Sequence, residues 1–179
     1  TNAITGVGFQ PDFTWIKQRS ATRSHMLFDA IRGATYRLSS DTTEANGQYS
    51  TSLTAFNTDG FTLGAFNDVN ASSGTFASWN WKANGQGSAN TDGSINTTYT
   101  SANTTSGMSI IQYSGNGSAG ATIGHGLGVA PKCVIIKRTD TTSNWIFGTG
   151  ATGFTKFLYL NLTDAETTNS GTFNNTAPS

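Results

Sequence analysis

Gly6-Val7-Gly8-Phe9-Gln10-Pro11-Asp12-Phe13-Thr14-Trp15-Ile16-Lys17 opens with a glycine turn and a proline, then gathers β-branched and aromatic residues. Glycine permits the positive φ of a tight turn, proline fixes the entry angle, and Phe-Thr-Trp-Ile suits a pleated, half-buried strand. The pattern returns as Gly126-Leu127-Gly128-Val129-Ala130-Pro131, an offset of 131 − 11 = 120 residues, with Cys133-Val134-Ile135-Ile136-Lys137 falling on Phe13 to Lys17. Arg37-Leu38 and Asp41 to Ala45 fall likewise on Phe157-Leu158 and Asn161 to Ala165, while Met26-Leu27-Phe28 matches Trp145-Ile146-Phe147 after a one-residue slip. Two related repeats, each built of short strands, are expected.

Outward from these runs, apolar segments of about four to eight residues alternate with Gly, Asn, Ser and Thr clusters, the spacing of sandwiches and barrels. Strands are expected at 13–18, 24–28, 35–39, 51–56, 61–63, 76–82, 108–113, 133–138, 144–147 and 157–162. Asn57-Thr58-Asp59-Gly60 between two phenylalanines predicts a hairpin. In Ala77-Ser78-Trp79-Asn80-Trp81-Lys82 the alternation places both tryptophans on one face, read as packing into a core, and leaves the polar face to water. The fold class expected is all-β, an antiparallel β-sandwich. Its division is a first repeat over 1–84 lacking its opening strand, a Gly/Ser/Thr/Asn-rich connector over 85–106, and a truncated second repeat over 107–179. Missing strands would come from a longer polypeptide or from another chain, and the absence of an initiator Met suggests an excerpt or processed product.

Composition narrows the partners. Charged residues are 11% of the 179, ten basic against ten acidic, so no electrostatic footprint for nucleic acid or an anionic membrane is present. No run of roughly 18 apolar residues predicts a membrane helix. Cys133 is the single cysteine, so stability must come from packing or assembly rather than an internal disulfide, and its place at the head of a strand reads as a small buried hydrophobe.

The run Gly6 to Lys17, then Leu27-Phe28-Asp29 with Arg32-Gly33, Asp59-Gly60-Phe61-Thr62-Leu63-Gly64 and Trp79-Asn80-Trp81-Lys82, resembles a domain of tail-fibre and other structural proteins of tailed, notably marine, bacteriophages. Ile123 to Lys132 is similar to the partner repeat that follows it in such proteins. The resemblance implies a lectin-like sandwich of the concanavalin A-like or jelly-roll type, at a virion surface or otherwise extracellular. It also implies a homo-oligomer or contact with other virion proteins, with host-surface carbohydrate as the usual ligand, and it brings no catalytic residues.

Candidate sites are few. Neither Gly6-Val7-Gly8 nor Gly124 to Gly128 has the strand, spacing or lysine of a phosphate loop. His25 and His125 stand without ligand-spaced partners, which disfavours zinc. Glu44 and Glu166, the only glutamates, lie in approximately equivalent turns of different repeats rather than facing each other as a glycosidase pair would. Calcium could be held only by loop oxygens such as those of Asp59, Asp68 and Asn70. Glycan contact is expected on small polar loop residues, Asn67, Asp68 and Asn70 in one loop and Asp140 and Asn144 in another. The function expected is a non-enzymatic tail-fibre or appendage segment that binds host-surface glycan. The alternatives are a capsid decoration or filament-forming subunit assembling by strand exchange, and a polysaccharide depolymerase.

Overall fold

The computed structural model describes residues 1–179 and is antiparallel β throughout its named sheets. In chain order the strands are β1 (Asn2–Thr5), β2 (Phe13–Gln18), β3 (Met26–Asp29), β4 (Tyr36–Ser39), β5 (Gly47–Gln48), β6 (Leu53–Asn57), β7 (Gly60–Leu63) and β8 (Phe76–Trp81). Then follow β9 (Tyr99–Asn103), β10 (Met108–Gln112), β11 (Cys133–Ile136), β12 (Ile146–Thr149), β13 (Lys156–Tyr159) and β14 (Thr167–Thr168). Two single-turn helices, α1 (Asn67–Asn70) and α2 (Ser170–Phe173), complete the chain. No helix is long and apolar enough to cross a membrane.

The first half is a β-sandwich. A five-stranded sheet in the order β5-β4-β3-β2-β8 packs on a three-stranded sheet, β1-β7-β6. Alternation selects the buried side: Ile16, Met26 and Phe28 from the larger sheet meet Leu53, Phe61 and Leu63 from the smaller, and Val69 of α1 plugs the end. Each large apolar side chain buried there contributes roughly 1.5–3 kcal/mol. Asn57 pairs with Gly60 across the expected hairpin, and Gly60, at φ +129°, leaves no room for a side chain because a Cβ would lie 2.0 Å from the Ile4 carbonyl oxygen.

Trp79 and Trp81 lie on the opposite face from this core, contrary to the sequence expectation, and are 49% and 37% exposed. The polar alternates Ser78 and Asn80 pair with the core-facing Ile16 and Thr14 instead, and the Thr14 hydroxyl donates to Asn80 Oδ1 at 3.1 Å. β8 is the edge of a sheet of five, which a sheet of three cannot fully cover, so on its inner face only Phe76, at its start, packs against the core and the later positions Ser78 and Asn80 are polar.

The second sheet runs β11-β12-β13-β14. Its pairings coincide with those of β2 to β5 at a constant displacement of 120 residues: Phe13 pairs with Asp29 as Cys133 does with Thr149, Met26 with Ser39 as Ile146 does with Tyr159, and Tyr36 with Gln48 as Lys156 does with Thr168. No slip occurs, so the counterpart of Trp145 is His25 rather than Met26. Between the halves, residues 85–106 are not a bare connector. They hold β9, paired with β10, and bury Thr97, Thr100 and Ser101, whose hydroxyls bond one another or neighbouring backbone.

Candidate functional site: an uncovered aromatic sheet face

The outward face of the five-stranded sheet is aromatic. Across β8, β2, β3 and β4 the register sets Trp79, Trp15, Leu27 and Leu38 in one row, and Trp81, Phe13 and Asp29 in the next. Directly opposed side chains on neighbouring strands stand about 5 Å apart. The Phe13 and Trp81 rings sit 5.4 Å between centroids, tilted by 59°. Trp15 meets His25 edge-on at 5.7 Å, and its indole Nε1 donates to His25 Nδ1 at 2.8 Å. Desolvation holds the His25 pKa below its ordinary 6.5, partly offset by Asp41 and reinforced by Lys17.

Half of this face is covered. Trp145, from the loop before β12, lies on Leu27 and Leu38 with Phe13 and Trp15 against it, and is 4% exposed. Its Nε1 donates to the carbonyls of Ser39 at 2.9 Å and Thr42 at 3.1 Å. On β8, Trp79 and Trp81 are open to solvent, and with the half-buried Trp15 beside them they form a ledge next to the junction.

The expected glycan loops are placed otherwise. Asn67 to Asn70 form α1. Asn67 is exposed, but Asp68 faces Arg23 at 3.4 Å, and Asn70 donates to the Gly64 carbonyl and accepts from Asn2. Arg138 donates from Nε and Nη2 to the two carboxylate oxygens of Asp140, and Asn144 Oδ1 accepts from Asn161 Nδ2. No hydrogen bond or ion pair joins the two loops. Of the calcium candidates, Asp59 spends its carboxylate on the N–H groups of Gly6 at 3.0 Å and Gly8 at 2.6 Å, both at φ +85°. These amides form a concave nest that holds the Asp59 pKa below its ordinary 3.8. The hairpin turn and the glycine pair were each legible in sequence; that one caps the other was not.

A family model described as a domain of unknown function, DUF7483, matches residues 1–179. The chain belongs to that family. No curated protein and no solved structure matches it.

Within this member of DUF7483, the remaining candidates stand apart from the ledge. Glu44 pairs with Arg37 at 3.5 Å and Glu166 with Lys156, each within its own half. Cys133, expected to be buried, is exposed. It occupies the place of Phe13 on the outward face of the second sheet, opposite Thr149 of β12.

Proposed function

We propose that this protein is a non-catalytic carbohydrate-binding module of an extracellular or virion appendage, and that it stacks a neutral saccharide on Trp15, Trp79 and Trp81. The observation that carries this reading is the exposure of Trp79 and Trp81 beside Trp15 on one rigid sheet face. An apolar patch left open on a folded domain marks an interaction surface, and aromatic faces pack against the C–H faces of sugar rings. A net charge of zero and a surface rich in Thr, Ser and Asn favour an uncharged, hydrogen-bonding ligand over a polyanion. The resemblance to tail-fibre domains supports an attachment role at a virion surface.

Titration with neutral cell-surface polysaccharides, followed by tryptophan fluorescence and calorimetry, tests the reading. Binding by the native protein should be lost in Trp79→Ala/Trp81→Ala while the unfolding transition stays in place. Binding that survives the double substitution, or no binding across a panel of neutral glycans, rejects it.

A further inference from the structure

One junction within the chain has an unfilled copy of each of its halves. In the filled junction, the β11–β12 loop (137–145) sits on the turn over 39–46. Trp145 donates to Ser39 and Thr42 as described, Lys137 Nζ donates to the Thr43 carbonyl at 3.2 Å, the Ser143 amide to the same carbonyl at 2.9 Å, and the Asn46 amide to the Thr139 carbonyl at 2.9 Å.

At the displacement of 120 residues the receiving turn recurs as 159–166. Its fold is the same: Thr42 N donates to Ser39 O and Leu162 N to Tyr159 O, both at 3.3 Å. The apolar floor recurs as well, with Phe147, Leu158 and Ile135 in the places of Leu27, Leu38 and Trp15. Leu27 and Leu38 are buried under Trp145, whereas Phe147 and Leu158 in their places are half-buried, and beside them Ile135 and Leu162, the latter in the place of Thr42, are each 44% exposed.

The inserting loop also has a counterpart, 17–25, with Lys17, Arg19, Arg23 and His25 in the places of Lys137, Thr139, Ser143 and Trp145. The inserting residue is held alike in both: Asp41 Oδ1 accepts from the His25 amide at 2.9 Å, as Asn161 Oδ1 does from the Trp145 amide at 2.8 Å. His25 Nδ1 accepts from the Trp15 indole N–H, so its neutral ring carries hydrogen on Nε2, a donor as the Trp145 indole is. The two unfilled halves are complementary in charge. The loop carries Lys17, Arg19 and Arg23, and the turn carries Asp164 and Glu166; Arg19 and Asp164 have no side-chain partner of their own.

We propose that the 17–25 loop of one copy of this chain docks on the 159–166 turn, and on Ile135, Phe147 and Leu158, of a second copy. The contact is head to tail, joining two different surfaces, so each added copy presents a new loop and a new turn; growth continues unless the rotation closes a ring. This goes beyond the carbohydrate reading and uses neither Trp79 nor Trp81.

Sedimentation velocity over a concentration series tests it, with Leu162→Asp to block the turn and Arg19→Glu/His25→Ala to block the loop. The native chain should gain mass with concentration, and each variant alone should hold the mass of one chain while keeping its native circular dichroism. An equimolar mixture of the two variants should form a species of two chains and nothing larger, because only one intact loop and one intact turn remain to meet. A native chain that stays single throughout overturns the proposal, since the turn then serves another segment or partner. Variants that assemble like the native chain, or a mixture that forms no two-chain species, overturn it equally.

Discussion

Removing Trp145 should uncouple the two halves of the molecule. An indole this deeply buried takes roughly 200 Å² out of water, or about 5 kcal/mol at about 25 cal/mol per Å². Partial collapse around the gap brings the expected cost of Trp145→Ala to about 3–5 kcal/mol. Trp145→Phe keeps the ring against Leu27 and Leu38 but withdraws the donor from the Ser39 and Thr42 carbonyls, and should cost about 1–2 kcal/mol. The assay is built into the sequence. Of the four tryptophans, Trp15, Trp79 and Trp81 belong to the first sandwich, so in either variant fluorescence reports that half alone while far-ultraviolet circular dichroism reports both. Urea unfolding of Trp145→Ala should therefore show dichroism falling before fluorescence, because the second sheet has lost the side chain that ties it to Leu27 and Leu38 on the outer face of the first sandwich. Coincident transitions, or a midpoint within about 0.5 kcal/mol of the native protein, would refute the assignment of Trp145 as the tie between halves.

The Arg32–Asp29 pair is buried, with Arg32 also donating to Asn46 Oδ1 and the Leu27 carbonyl. Arg32→Leu should cost about 3–5 kcal/mol in urea unfolding, and the added change Asp29→Leu should recover much of it, since an unpaired buried charge is worse than none. Asp59 has a folded pKa below its ordinary 3.8, so its contribution is full above that value and lost as pH falls through the folded pKa. Asp59→Asn should accordingly lose less stability on acidification than the native protein, with the Gly6 and Gly8 amides exchanging faster at neutral pH. The His25 pKa is also lowered, so its contribution is full above 6.5 and declines as pH falls towards the folded value. Thermal melts should show that decline flattened in His25→Gln, and an unchanged pH profile would remove the burial of the His25 ring as its source.

Strand positions were legible because a half-buried strand leaves its period in the chain: the run Phe13–Gln18 appears in sequence and structure with the same bounds. β9 was not legible, since Tyr99-Thr100-Ser101-Ala102-Asn103 is too polar to stand out and becomes a strand by pairing with Met108–Gln112. The ledge was half legible. Alternation put Trp79 and Trp81 together, and only the width of the opposing sheet turned them outward. The glycan loops were chosen for exposed polar groups, most of which the fold spends on Arg23, Gly64, Arg138 and Asn161.

By itself the sequence determined the all-β class, the hairpin at Asn57 to Gly60 and the recurrence at 120 residues, because backbone preference and side-chain period are local properties that each segment carries with it. Tertiary structure alone decided which face of β8 meets solvent, that Asp59 closes the Gly6–Gly8 nest, that Cys133 is exposed, and that Trp145 fills a site whose counterpart at Tyr159–Glu166 has no such occupant. Each of those depends on what lies across a sheet or beyond a loop, and a period of two distinguishes a strand's faces without saying what will cover either one.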